Sequence, residues 1–156
     1  MANDQYKNVR VICGFSGVGK STAEQRHNKV IDFESSGYSH IFEPGEFDRR
    51  NPAFPRNYID AVCEHIENAA NNVYLLSCHE SVRMELKNRG IPYIIVMPHR
   101  DLKEEYIRRW FRRGSPTTFI EYMCDVWDDM IDSCERDDSP KIHLEADEYL
   151  DDILCP

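Results

Sequence analysis

The chain contains no run approaching the ~18 consecutive apolar residues of a membrane-crossing helix, which sets aside a membrane-spanning protein. Residues 1–7 are polar and do not read as a signal peptide. Positive charge is in short supply: 19 Lys and Arg stand against 28 Asp and Glu, a net charge of −9. Binding long nucleic acid calls for the opposite balance, so it is not expected as a partner. No two of the cysteines at 13, 63, 78, 124, 134 and 155 are spaced C-x-x-C. Several lie in apolar runs and read as reduced, mostly buried thiols of a cytoplasmic protein. Cys78-His79 alone lacks the clustered ligands of a zinc site. Internal repeats and low-complexity tracts are also absent.

What remains is a chain of 156 residues, 41% hydrophobic, which suits one domain with one core. Five short apolar runs, at 9–13, 30–33, 73–78, 93–97 and 142–144, predict strands. Near-continuous apolar runs suit strands covered on both faces of a parallel sheet. Helical patterns fall between them, at 21–28, 57–71, 80–88 and 101–113, with Gly90 and Gly114 as stops. Ser115-Pro116 predicts a further helix, with Ser115 as N-cap and Pro116 at its first position. Its stripe of Phe119, Ile120, Met123, Val126, Trp127, Met130, Ile131 and Cys134 predicts a core-facing side. Strand–helix alternation gives an α/β fold with right-handed crossovers. Residues 35–56, with Pro44, Gly45, Pro52 and Pro55, read as irregular, and so long a stretch in a small domain is usually functional.

The chemistry is concentrated in Gly14-Phe15-Ser16-Gly17-Val18-Gly19-Lys20-Ser21, which fits G-x-x-x-x-G-K-[ST]. The four fixed positions would match by chance in roughly one chain of this length in a few hundred. An apolar strand before the loop and a helix after it make chance a poorer account still. A loop curled around a phosphate turns its N–H groups inward, which needs glycines for unusual φ and close approach. Lys20 supplies a charge for the β- and γ-phosphates, Ser21 a hydroxyl for Mg²⁺, and the next helix its positive end. No N-K-x-D motif follows the fourth apolar run, where Pro98-His99-Arg100-Asp101 stands instead, so a GTPase is not expected. Arg108, Arg109, Arg112 and Arg113 form two i,i+4 pairs. Arginines of that kind can close over a moving phosphoryl group and stabilise its spread charge.

The loop, Val30-Ile31-Asp32-Phe33-Glu34-Ser35-Ser36, the pattern E-E-Y-I-x-R-x-x-x-R-G ending at Gly114, Trp127 and residues 141–150 together resemble the nucleoside/nucleotide monophosphate kinase group of P-loop kinases. The closer likeness is to small kinase-like ATP-binding proteins of phages and prophages. The resemblance covers nearly the whole chain and implies a P-loop NTPase fold: three layers, α/β/α, around a five-stranded, mostly parallel sheet of order 2-3-1-4-5. It implies one domain over 1–156, an acceptor-binding insertion at 35–60 and an arginine-bearing lid at 99–118.

The implied activity is phosphoryl transfer from ATP, with Mg²⁺, to a small nucleotide acceptor. A nucleoside, a polynucleotide 5′ end, a modified base, or nucleotide binding without turnover stay open, as does a homodimer. ATP would lie on Gly14, Ser16, Gly17, Val18, Gly19, Lys20, Ser21 and Thr22, with Ser21 on the metal. Lys20, Asp32, Arg109 and Arg113 would be catalytic, Arg109 also touching ATP, with Arg108 and Arg112 next in line. Asp32, at a strand end where α/β sheets bind ligands, could orient the acceptor, take its proton or help the metal. Glu34, Ser35, Ser36, Tyr38, Arg56 and Arg83 would bind the acceptor, the arginines through its phosphate. Residues 145–147 fall where related kinases hold adenine. The chain departs from the group at the third strand, whose end carries Ser77-Cys78-His79-Glu80 in place of an Asp, leaving Asp32 or Glu80 to assist Ser21.

Overall fold

The computed structural model describes residues 9–43, 46–68 and 71–154, and only the backbone of 41–43 and 46–48. The polar start at 1–7, Pro44, Gly45, the end of the helix expected to reach 71, and Cys155 involve residues outside that set.

Among the described residues seven strands form two sheets: β1 Val11–Gly14, β2 Val30–Asp32, β3 His40–Glu43, β4 Glu46–Arg50, β5 Val73–Ser77, β6 Ile94–Pro98 and β7 Lys141–Leu144. The main sheet is all parallel and runs β2-β5-β1-β6-β7. That order differs from the expected 2-3-1-4-5 in its numbering, because β3 and β4 form a separate antiparallel hairpin between the second and third of the expected strands. The hairpin lies inside the stretch read as irregular. Its strands carry a charged or polar residue at most positions, as in His40-Ile41-Phe42-Glu43, so they present no apolar run. β1, by contrast, is buried along its whole length, as is β6.

The helices are α1 Lys20–Arg26, α2 Ser36–Ser39, α3 Arg56–Asn68, α4 Glu80–Asn88, α5 Lys103–Arg112, α6 Thr117–Arg136 and α7 Leu150–Leu154, with a 3-10 turn at Arg100–Leu102 ahead of α5. They flank the sheet, consistent with three layers. None of the described helices is long and apolar enough to cross a membrane.

The α5–α6 junction corrects the expected cap. Gly114 takes φ +80, its N–H donates to the Phe111 carbonyl, and the Ser115 N–H donates to the Trp110 carbonyl. That pair of bonds closes α5 in a Schellman turn, so Ser115 belongs to the end of one helix and not to the start of the next. Its hydroxyl accepts from Arg113 Nε at 2.8 Å, and α6 begins at Thr117 after an extended Pro116.

Two features of this frame place the site. The strand register sets Gly14 beside Ser77, and Asp32 beside Leu75, so three chemically distinct strand ends meet at one edge of the sheet. Ligands in open α/β sheets bind beyond that edge. Phe15, fully buried, then drops from the loop into an aromatic cluster, 5.3 Å from the Trp127 ring and 6.2 Å from Tyr106. Burying a ring of that size contributes about 1.5–3 kcal/mol, enough to hold one side of the loop in place.

Candidate functional site

A cleft of about 630 Å³ opens at this edge, lined by the 14–21 loop, the ends of β2 and β5, and one side each of α5 and α6. The loop curls around it. Gly17 and Gly19 have φ +94 and +96, a region costly for other residues. A Cβ on Gly17 would stand 3.1 Å from both Trp110 Nε1 and Tyr106 Cδ2. The Phe15 N–H donates to the Val96 carbonyl and the Val18 N–H to the Phe15 carbonyl. The first α1 ladder bond runs from Ala23 N–H to Gly19 O, so the N–H groups of Lys20, Ser21 and Thr22 lie ahead of the ladder. The loop is thus a concave row of donors, the geometry of an anion nest.

Three side chains complete this end. Lys20 Nζ donates to the Gly14 carbonyl at 2.8 Å, and burial lowers its affinity for a proton below the usual lysine range. Ser21 Oγ donates to Asp32 Oδ2 at 3.2 Å. Asp32 Oδ1 is buried with no partner, and burial raises this carboxyl, against the pull of Lys20 and the Ser21 hydroxyl. Ser77 Oγ, where the resembling kinases carry an Asp, also lines the cleft, buried and unpartnered. Such orphaned polar atoms cost about 1–3 kcal/mol each, a cost an incoming ligand can relieve. Among the described residues no group of three or more His, Cys, Asp or Glu could hold a metal ion. A divalent ion here would depend on a ligand's own oxygens beside Ser21 and Asp32, which is the usual habit of Mg²⁺.

The arginine helix divides into two roles. Arg109 is buried between the rings of Tyr106 and Tyr149, 4.4 and 3.8 Å from their centroids. Its Nη1 donates to the Gly17 carbonyl at 3.0 Å, and its Nη2 to Glu105 at 2.9 Å and the Glu148 carbonyl at 2.8 Å. Arg109 lines the cleft, and its fork clamps the loop to the C-terminal segment while its Nε is left without a partner. Trp110 Nε1 donating to Ser16 O, and Leu150 N–H to Val18 O, tighten the same clamp. Arg113 is exposed and holds the loop only through Ser16 Oγ at 3.0 Å, so it and Arg112 are the exposed arginines that can meet a ligand. Arg108, also exposed, does not line the cleft.

The acceptor candidates divide as well. Asp32, Glu34 and Ser35 line the cleft, as does Thr22 beside the loop. Arg83 does not, and its expected role in binding phosphate is withdrawn. It is 4% exposed and its guanidinium is consumed by the Cys78 carbonyl, Ser133 and Asp137. Arg56 and Glu80 head α3 and α4 away from the lining. Tyr38 stacks on Phe33 at 5.8 Å, and the Ser36 N–H donates to Glu34. Residues 145–147 are tied down, with Asp147 N–H on Glu105 and His99 on Glu145. Tyr149, two residues on, lines the cleft. Sequence reasoning missed it, and missed that Phe119, Met123 and Met130 of the α6 stripe line the cleft with their neighbour Tyr122. Helical period identifies a buried stripe but not the part of it that meets a hollow instead of the core.

No family model and no curated protein matches the chain. Its structure is similar to that of a tunicamycin resistance protein from Deinococcus radiodurans, with 18% identity, a TM-score of 0.59, and 94% of this chain and 91% of that one covered. A likeness at that identity carries the fold and nothing of the chemistry.

Proposed function

We propose that the chain is an ATP-dependent phosphotransferase of the P-loop kinase kind, with the 14–21 loop holding the triphosphate. The observation that carries this reading is the convergence of the left-handed Gly17 and Gly19, half-buried Lys20 and the Ser21–Asp32 pair on one point. The loop N–H groups and Lys20 bind the phosphates, and Arg113 meets the charge that spreads over the terminal phosphoryl group. Ser21 and Asp32 would hold Mg²⁺ with the phosphate oxygens, and a bound ion there would neutralise charge on those oxygens. As a bond forms from the acceptor oxygen to the terminal phosphorus, the bond from that phosphorus to ADP breaks and its electron pair leaves with ADP. The acceptor's proton passes to Asp32, the strand-end carboxylate that accepts from Ser21.

A hydroxyl acceptor is favoured over the monophosphate first expected, because Arg83 and Arg56 are both absent from the cleft lining. The test is thin-layer analysis with labelled ATP and Mg²⁺ against a panel of nucleosides, nucleotides, 5′-hydroxyl oligonucleotides and neutral alcohols. Product from wild type and none from Lys20→Ala supports the reading. ATP binding with no product from any acceptor points to a nucleotide-binding module without turnover.

A further inference from the structure

The cleft has a second wall that plays no part in holding phosphate. Phe119, Tyr122, Met123 and Met130 of α6 line it, together with Phe33 just beyond β2. The wall begins at the loop, where the Arg113 guanidinium stands 5.5 Å from the Phe119 ring. It ends at Met130, near the edge of the sheet where Cys78, just after β5, also lines the cleft. From Phe119 to Met130 the helix advances about 16 Å, longer than a phosphate-binding site requires. Ile120, Trp127, Ile131 and Cys134 satisfy the core face of α6 and leave Phe119 and Met130 half-buried and Tyr122 57% exposed.

The charges around the cleft are segregated. The lysine and arginines of the lining, Lys20, Arg109, Arg112 and Arg113, belong to the loop side or α5, and His79, just past β5, is held toward its neutral form by burial. The end of β2 adds Asp32 and Glu34, which repel an anion. Arg50, at the end of β4, is close enough for its charge to act on His79, but it does not line the cleft.

We propose that the acceptor side takes an uncharged hydroxyl compound with an aromatic or aliphatic arm laid along the α6 wall. This rests on the phosphotransferase reading for its chemistry, the transfer of the terminal phosphoryl group of ATP to the acceptor oxygen with ADP leaving. The arm is recognised by apolar contact, and Asp32 and Glu34 at the end of β2 disfavour a second phosphate beside it.

The experiment uses the full chain and the neutral apolar fluorophore N-phenyl-1-naphthylamine, with ATP–Mg²⁺ binding followed separately by calorimetry. Wild type is expected to bind the probe. Tyr122→Glu, at an exposed position, and Met130→Glu should weaken it at least tenfold, with ATP affinity unchanged within twofold. Nucleoside monophosphates should neither displace the probe nor become phosphorylated. Probe binding equal in both variants, or none in a wild type that binds ATP, overturns the inference. So does phosphorylation of a monophosphate, most directly if Arg50→Ala abolishes it. A wild type that binds the probe as described but not ATP supports the apolar subsite and removes the donor reading instead.

Discussion

Replacing Arg83 with methionine separates a structural arginine from a substrate ligand. The side chain is 5% exposed and faces Asp137, 2% exposed, across 2.8 Å. Methionine fills much of the same volume but strands Asp137 in the interior with Tyr93, Lys87 and the Ser139 N–H. Breaking one partner of a buried pair costs about 3–5 kcal/mol, a large part of a typical 5–15 kcal/mol total. Urea unfolding should show that loss as a lower midpoint at constant slope, and melting should fall by about 6–20 °C for a chain of this size. Acidity supplies a second readout. Burial works to raise the Asp137 carboxyl, but hydrogen bonds from Tyr93, the Ser139 N–H, Arg83 and Lys87 outweigh it and hold it well below the usual range. A depressed carboxyl stabilises the fold above its unfolded value, about pH 4, and that stability is lost as pH falls through the folded value. The gap between wild type and Arg83→Met should therefore narrow below about pH 4. A variant less than 1 kcal/mol weaker, with a raised KM for a phosphorylated acceptor, would refute this and return Arg83 to the site.

Three further outcomes are expected. Gly17→Ala places a Cβ at φ +94 against Trp110 and Tyr106, so it should cost about 1–2 kcal/mol in urea unfolding and weaken ATP binding. Asp32→Asn should lower kcat by about 10²–10⁴ with ATP affinity nearly intact. Arg113→Ala should lose turnover with little change in ATP affinity, whereas Arg109→Lys, which keeps a charge but not the fork, should lose stability and ATP affinity together.

The parallel sheet was legible because β1, β5 and β6 are buried on both faces and carry unbroken apolar runs. The helix stops at Gly90 and Gly114 were legible because both take positive φ. The β3–β4 hairpin was not, because its short strands are mostly polar and register comes from pairing rather than from a run. Within the site, the motif marked the 14–21 loop, its spacing being set by backbone geometry. The ties of two arginines stayed hidden for one reason. Arg83 is neutralised by Asp137, 54 positions away, and the fork of Arg109, though ion-paired to Glu105 one turn before it, is fixed by the distant Gly17 and Glu148 carbonyls; no local pattern signals those distant partners.

The central claim is that the 14–21 loop holds the triphosphate of a phosphoryl donor. Calorimetric titration of wild type and Lys20→Ala with ATP and Mg²⁺, on protein shown to melt alike, tests it most directly. The account predicts saturable one-to-one binding that the variant weakens by at least tenfold. Equal binding by the two proteins, or none by wild type, would contradict it.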